Sequence, residues 1–252
     1  MKLHYREMGE GEPLLILHGV FGSSDNWQTV GKKLSHDFRV FLIDQRNHGR
    51  STHSEEFNYK NMSEDILELI DANDLGKVNM IGHSMGGKTA MCFANDHPER
   101  LKSMIVVDIA PKRYEKHHEL ILKAMEEVKP ETKSGRKEVD KALSKYIEEF
   151  SIRQFIMKNL YWKNKDQLGW RLNVSTLRNK QGEVVSALDL DKIYTPTLFI
   201  RGEKSDYLKD NDIEYLKEHF LNMNLKTLNS GHWVHAEAPN EFIDTVRNYL
   251  RS

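Results

Sequence analysis

Short apolar runs alternate with segments of helical periodicity along most of this 252-residue chain. Buried strands of a parallel sheet are almost continuously apolar, whereas covering helices carry apolar residues three or four positions apart. The runs predict six strands, at residues 14–17, 39–43, 78–81, 103–109, 197–200 and 225–228. Helical spacing predicts helices at 61–73, 85–96 and 240–250. Because strands and helices alternate, the pattern predicts an α/β fold with a largely parallel sheet.

A long middle segment, residues 112–188, breaks this alternation. It contains no convincing buried strand, and its apolar residues follow the spacing of successive amphipathic helices. The pattern therefore predicts a core of residues 1–111 and 189–252 with a helical cap of residues 112–188. The cap holds 17 Lys and Arg against 11 Asp and Glu, a net charge of +6, while the remainder carries −7. Such charges usually face water, but they could also attract an anionic substrate such as an acyl-CoA.

The overall composition indicates a globular protein. Hydrophobic residues make up 38% and charged residues 30%, and the net charge of −1 argues against a general nucleic-acid binder. No apolar run approaches the length of a membrane span, and the first residues lack the apolar core of a secretory signal. The single cysteine, Cys92, excludes an intramolecular disulfide. We therefore expect a cytoplasmic protein with Cys92 as a small core residue.

The predicted strand 78–81 runs into a G-x-S-x-G motif, Gly82-His83-Ser84-Met85-Gly86, and a predicted helix follows at once. This is the pattern of a nucleophile elbow, a sharp turn that exposes the serine hydroxyl at a helix N-terminus. The two glycines allow the strand and the helix to pack closely around the turn. A Gly-rich turn with an incidental serine would also match the G-x-S-x-G motif. The strand–turn–helix setting, however, favours Ser84 as a nucleophile.

A serine hydroxyl is a poor nucleophile at neutral pH and needs a base. His232 follows the last predicted strand and precedes the C-terminal helix, so we expect it at the same edge of the sheet as Ser84. The chain order of serine, acid and histidine is that of the α/β-hydrolases. Most loop histidines do no chemistry, but this position favours His232 as the general base.

Two further loops should lie at this edge because they follow the first two predicted strands. The glycine-rich loop of residues 18–22 can direct a backbone N–H at a developing oxyanion. By position we assign the oxyanion donors to the amides of Val20 and Met85. Residues 44–49 are polar, and we interpret them as structural, with side chains that hydrogen-bond neighbouring loops.

Several stretches together resemble the YbfF-type esterases of the α/β-hydrolase fold. They are H-G-V-F-G-S-S-D-N-W from His18, D-Q-R-N-H-G from Asp44, G-H-S-M-G-G-K from Gly82, R-Q-F-I-M-K-N-L from Arg153 and W-R-L-N from Trp170. The last two lie in the predicted cap and are more discriminating than the elbow. The resemblance implies an all-helical cap inserted between strands 6 and 7 of the fold. It also implies hydrolysis of acyl esters or acyl-CoA-like thioesters without a cofactor, and Asp108 as the acid of a triad.

Two aspartates compete for the role of that acid, because Asp108 and Asp206 both fall between Ser84 and His232. Asp206 follows the strand at 197–200, where the acid most often lies in this fold, but its surroundings are polar throughout. Asp108 ends an apolar strand, where a carboxylate is costly unless something satisfies it. It could instead merely cap the following turn. Together with the resemblance, this reasoning favours Asp108 and keeps Asp206 as the alternative.

Four aromatic residues near the predicted site loops or in the cap could line an apolar acyl pocket: Phe21, Trp162, Trp170 and Trp233. We expect at least two of them to do so. Each of them is equally expected in core packing, because large aromatic side chains dominate cores as well.

No cofactor or metal is predicted. The densest cluster of possible ligands, His117-His118-Glu119, lacks the H-E-x-x-H spacing, and the chain has no G-x-G-x-x-G or Walker loop. The expected partner is a small acyl ester or thioester. Two alternatives stay open: a C–C bond hydrolase, which also keeps serine at the elbow, and a receptor that binds a ligand in the same pocket without turnover.

Overall fold

A seven-stranded sheet forms the centre of the molecule in the computed structural model, which describes residues 1–116 and 118–251. The described residues form nine strands: β1 His4–Met8, β2 Pro13–Leu17, β3 Arg39–Asp44, β4 Val78–His83, β5 Leu101–Val107, β6 Leu160–Trp162, β7 Leu168–Trp170, β8 Thr197–Gly202 and β9 Met223–Leu228. The spatial order in the sheet is β1-β3-β2-β4-β5-β8-β9. Every neighbouring pair is parallel except β1 with β3. The parallel strands therefore end at one edge, where ligands bind in open α/β sheets.

Helices cover both faces of the sheet. In chain order they are α1 Gln28–Leu34, α2 Tyr59–Ala72, α3 Met85–Asp96, α4 Glu119–Val128, α5 Arg136–Leu143, α6 Phe150–Met157, α7 Val174–Asn179, α8 Gln181–Val184, α9 Asp210–His219, α10 Val234–Glu237 and α11 Pro239–Arg251. Because successive strand residues point to opposite faces, Leu15 and Leu17 pack with α2, α3 and α9, whereas Leu14 and Ile16 pack with α1 and α11. None of the helices in the described part of the chain is long and apolar enough to cross a membrane.

All six predicted strands and all three predicted helices are present, and the main difference in the bounds has a clear cause. The strand predicted at 103–109 ends at Val107, because Asp108 adopts a positive φ of 52° and turns the chain. In the core, strand β1 and helices α1, α9 and α10 were not predicted. Strand β1 is a half-exposed edge strand with a largely polar sequence, so it lacks the apolar run that marks the central strands.

The segment between β5 and β8 corrects one expectation. It contains helices α4 to α8, but it also contains the antiparallel hairpin of β6 and β7, so it is not all-helical. Strands of three residues are too short to show a period of two, and an Asx-type turn joins them, in which the Asp166 amide donates to Asn164 Oδ1. In this seven-stranded sheet, five strands precede the segment and two follow it.

We call residues 112–188 the insert. Its apolar side chains pack into a cluster with core residues from the carboxyl edge of the sheet, including Phe21, Tyr59 and Met85. The insert also donates hydrogen bonds to the loops at this edge, from Asn159 Nδ2 to the Phe21 carbonyl at 2.7 Å and from the Asn173 amide to the Asn47 carbonyl at 3.0 Å. The insert therefore covers the edge at which the predicted site residues lie.

Candidate active site

Ser84 lies in the turn between β4 and α3, with a φ of 53° that non-glycine residues rarely adopt. The turn is possible because the residues two positions before and after Ser84 are glycines. A Cβ on Gly82 would overlap the Gly86 carbonyl oxygen, and a Cβ on Gly86 would overlap the Leu17 carbonyl oxygen. Strained backbone of this kind persists only where the surrounding structure holds it. The strand–turn–helix geometry predicted for the elbow is therefore present.

The structure brings His232 and Asp108 together. His232 lies in the loop between β9 and α10, and its Nδ1 lies 2.7 Å from Asp108 Oδ2. Asp108 is fully buried, and it also accepts hydrogen bonds from the Gly202 amide at 3.0 Å and from the Ser205 hydroxyl. These bonds satisfy a carboxylate that would otherwise be costly to bury.

Asp206, the alternative acid, lies elsewhere. Its side chain is 90% exposed, and it forms an ion pair with Lys209, 2.8 Å away. This pair holds the pKa of the Asp206 carboxyl below its usual value. The preceding residue, Ser205, behaves differently, because its hydroxyl donates to Asp108. Asp206 itself points to solvent.

Two side chains fix the His232 loop. The Tyr207 ring stacks on the His232 ring, with centroids 3.8 Å apart and an interplanar angle of 16°. Burial and the nearby Asp108 carboxylate raise the pKa of Tyr207 to about 12, so its phenol stays protonated. His83 lies beneath the loop, and its Nε2–H donates to the His232 carbonyl at 2.9 Å. Neither residue was predicted as part of the site, because contacts between distant loops leave no local pattern.

The loop of residues 18–22 lies beside Ser84 and is held by two buried histidines. His18 Nε2 accepts from the Gln45 amide at 3.0 Å, and His48 Nε2 accepts from the Phe21 amide at 3.2 Å. A turn closed by the Gly22 amide and the Gly19 carbonyl leaves Val20 at its tip. Among the described residues, the amides of Val20 and Met85 donate to no protein acceptor.

The polar loop of residues 44–49 is structural, as interpreted. Asp44 accepts from the Ser24 and Arg50 amides at 2.6 and 2.9 Å. Arg46 forms a bidentate pair with Asp65, at 2.6 and 2.8 Å. These bonds connect the loop to its neighbours at the edge of the sheet, so it supports the site without lining the cavity.

Four buried histidines around the site should make the protein sensitive to acid. Burial lowers the pKa of His48 and of His235 to about 3, and it also lowers the pKa of His18 and of His83. As the pH falls below about 6.5, the unfolded chain binds protons that the folded protein cannot. His48 and His235, whose pKa in the folded protein is about 3, should therefore each remove up to about 1.4 kcal/mol of unfolding free energy per pH unit below that point. Urea unfolding between pH 7 and pH 5 measures this slope.

The matched control for this prediction compares a buried with an exposed histidine. His235→Gln should reduce the slope, whereas His36→Gln should leave it unchanged, because His36 is exposed. An unfolding free energy that is equal at pH 7 and pH 5 would contradict the prediction.

A cavity of about 290 Å³ opens beside Ser84 and His232. Its lining is mostly apolar and comes from both the core loops and the insert. The side chains that line it include Phe21, Trp233, Phe155, Tyr207, Ile121 and Ile152. Phe21 and Trp233, two of the four predicted pocket aromatics, thus lie at the cavity.

The other two candidates, Trp162 and Trp170, do not line this cavity. Trp162 lies on the hairpin and is 49% exposed. Trp170 packs inside the insert, where its Nε1–H donates to the Met125 carbonyl at 2.9 Å. Both were proposed because they belong to the predicted cap, but they lie on the hairpin and outside the lining of the cavity. Phe155 and Tyr207 line the cavity instead.

No metal site is visible in the described part of the chain, where no three His, Cys, Asp or Glu side chains are close enough to share an ion. His118 lines the cavity, and Glu119 begins α4. His117, the remaining member of the cluster noted in the sequence, lies outside the described residues.

Comparison with known proteins identifies the family. A family model described as the alpha/beta hydrolase fold matches residues 12–239. The chain belongs to the alpha/beta hydrolase family. It is 30% identical to Esterase YbfF of Escherichia coli over 257 residues, which cover 99% of each chain. It is 34% identical to the sn-1-specific diacylglycerol lipase ABHD11 of Danio rerio, over 96% of this chain and 80% of that protein.

A solved structure shows the same architecture. The structure called "Marine microorganism esterase" superimposes on this alpha/beta hydrolase with a TM-score of 0.96 and 41% sequence identity, covering 98% of this chain and 99% of that one. The predicted fold and the resemblance to esterases are therefore confirmed, and the names of these relatives support ester hydrolysis as the activity.

Proposed function

We propose that the protein hydrolyses carboxylic esters through an acyl-enzyme formed on Ser84. The observation that carries this proposal is the 2.7 Å hydrogen bond between His232 Nδ1 and Asp108, beside a cavity that Ser84 also lines. His232 takes the proton as the Ser84 hydroxyl attacks the ester carbonyl, and then delivers it to the leaving group. Asp108 stabilises the imidazolium. Water then attacks the acyl-enzyme with the help of the same base and releases the acid.

The oxyanion of each tetrahedral intermediate is held by the amides of Val20 and Met85. The Met85 amide is the first of helix α3, where unpaired N–H groups and the helix dipole favour negative charge. The loss of one such donor typically costs about 3 kcal/mol of transition-state stabilisation. The buried histidines that hold the loop of residues 18–22 keep the Val20 amide in position before substrate binds.

The insert acts as a cap over the core of residues 1–111 and 189–252, and the acyl chain occupies the cavity between them. Ile121 and Phe155 from the insert and Trp233 from the core give this cavity an apolar surface suited to a hydrocarbon chain. Two classes of leaving group are consistent with this proposal, an alcohol and a CoA thiol. Diacylglycerol is named for one relative, and the basic insert also suits the phosphates of an acyl-CoA thioester.

We also propose the cytoplasm as the protein's location. Cys92 has no disulfide partner, and burial raises the pKa of its thiol to about 12, which keeps it inert. This assignment follows from the compartments in which disulfide-free proteins are common.

A substrate screen tests the activity and the leaving group together. The p-nitrophenyl esters of acetate, butyrate and hexanoate are compared with the corresponding CoA thioesters at low and high salt. Because salt screens long-range attraction, kcat/KM for the thioesters should fall with ionic strength while that for the neutral esters stays constant. If kcat/KM for the thioesters and for the neutral esters changed equally with ionic strength, the insert would have no role in steering the substrate. A single slow turnover on every substrate would contradict the proposal of an enzyme and would favour a receptor that binds its ligand without turnover.

A further inference from the structure

A buried lysine lies one helical turn beyond the nucleophile. Lys88 belongs to α3, its side chain is 1% exposed, and its amide donates to the Ser84 carbonyl at 3.1 Å. Its ammonium donates to the backbone carbonyls of Lys112, at 2.8 Å, and of Ser186. No carboxylate in the described residues forms a salt bridge with it. The proposed reaction does not use this charge, so its burial needs another explanation.

The two carbonyls belong to the two ends of the insert. We call residues 110–114 and 184–188 the stem, because these two connections run side by side between the insert and the core. The Tyr114 amide donates to the Val185 carbonyl at 2.9 Å, and the Leu188 amide donates to the Pro111 carbonyl at 2.8 Å. Lys88 is therefore a single side chain from the nucleophile helix that binds both connections at once.

Aromatic rings extend this contact. The Lys88 ammonium lies 4.8 Å from the ring centroid of Tyr114 and 5.7 Å from that of Tyr59, within the range of cation–π attraction. The Tyr59 hydroxyl donates to the Val184 carbonyl of the stem at 2.6 Å. The Tyr114 hydroxyl donates at 2.7 Å to the carbonyl of Tyr207, whose ring stacks on His232. The stem thus connects the nucleophile helix with the loop beside the candidate base.

Burying an ammonium is costly, and the cost shows in its titration: burial lowers the pKa of Lys88 to about 7. An apolar side chain would fill the same volume without this penalty. It would, however, leave two stem carbonyls without their charged donor.

We propose that Lys88 is a positioning residue that holds the stem, and with it the insert, in place over the acyl cavity. The insert walls of the cavity, which include Ile121, Ile152 and Phe155, keep their distance from Ser84 only while the stem is held. The consequence for substrate rests on the ester hydrolysis proposed above. The consequence for the chain does not, since a released stem is exposed to proteases whether or not the protein is an enzyme.

The test compares Lys88→Met, which removes the donor, with Lys88→Arg, which keeps charged donors. For Lys88→Met we expect kcat/KM for p-nitrophenyl hexanoate to fall about tenfold, because hydrogen bonds from a charged donor are lost. With p-nitrophenyl acetate the loss should be about threefold or less, because a short acyl group barely reaches the insert. Trypsin should cut after Lys112 or Arg113 about tenfold faster, since opening of the stem limits cleavage. Lys88→Arg should recover most of each effect.

A purely structural role predicts a different pattern, since a smaller folded fraction lowers the rates on both esters equally. That equal loss, or wild-type kinetics and proteolysis in a folded Lys88→Met, would overturn the proposal. Should Lys88→Met fail to fold, Tyr59→Phe loosens the stem more gently. Its matched control is Tyr5→Phe, which removes another phenol that donates at 2.6 Å, to Asn73 far from the stem. If trypsin cleaved the stem at the same rate in Tyr59→Phe and Tyr5→Phe, the proposal would also be overturned.

If no ester is hydrolysed by the wild-type protein, the ester hydrolysis proposal fails, while stem proteolysis still tests the role of Lys88. Conversely, if the wild-type protein hydrolyses esters and the stem is cleaved at the same rate in Lys88→Met, the role of Lys88 is refuted and the ester hydrolysis proposal stands.

Discussion

Ser84→Ala is expected to abolish ester hydrolysis and to prevent covalent labelling by an organophosphonate. A phosphonate reacts with a serine only when a base takes the hydroxyl proton and the oxyanion is stabilised, so labelling reports the whole arrangement. Ser84 combines the elbow geometry, the N-terminus of α3 and a shared cavity with His232. Loss of a nucleophile of this kind costs on the order of a million-fold in kcat in other serine hydrolases.

Mass spectrometry of the labelled wild-type protein makes this test specific. The label should be found on Ser84 alone. Ser205→Ala is a useful comparison, because its hydroxyl bonds to Asp108 and its loss should slow labelling without moving the site. Ser230 lies near His232 in sequence and is buried. A label on Ser205 or Ser230, or hydrolysis that survives in Ser84→Ala, would refute the assignment of the nucleophile.

The parts of the site that could be predicted from the sequence are those encoded by one local segment. The elbow is encoded by Gly82 and Gly86, because only glycine allows the close approach of β4, α3 and β2. The central strands were visible because buried parallel strands are apolar on both faces. His232 could be placed at the correct edge because it follows a strand of that sheet.

The rest of the site depends on contacts between segments far apart in the chain. Tyr207 stacks on His232 and Phe155 contacts Trp233, yet nothing in the neighbourhood of either residue indicates this. The sequence around Lys88 predicts an ordinary polar position on a helix. The residue is buried only because the stem passes over it. Trp162 and Trp170 were misplaced for the same reason, since the hairpin that carries them was not predicted.

Asp108→Asn is expected to lower kcat by about ten-thousand-fold, whereas Asp206→Asn should change it less than about twofold. The two substitutions are chemically identical, so the comparison isolates position. An amide at residue 108 can donate a hydrogen bond to His232 Nδ1, which favours the tautomer with its proton on Nε2 and leaves no base for the Ser84 hydroxyl. At residue 206 the change removes only an exposed ion pair with Lys209.

The hydrogen bonds of Asp108 strengthen this expectation. Its Oδ1 accepts from the Gly202 amide, and its Oδ2 accepts from Ser205 and His232, so the carboxylate is held in the orientation that serves the imidazole. Folding is checked by the thermal midpoint, and KM for p-nitrophenyl butyrate should stay within about threefold, since the role proposed for Asp108 is to support the transition state rather than substrate binding. The reverse pattern, an active Asp108→Asn and an inactive Asp206→Asn, would assign the acid to Asp206. It would also require the loop of residues 203–209 to rearrange during catalysis, because Asp206 points into solvent while His232 is bound to Asp108.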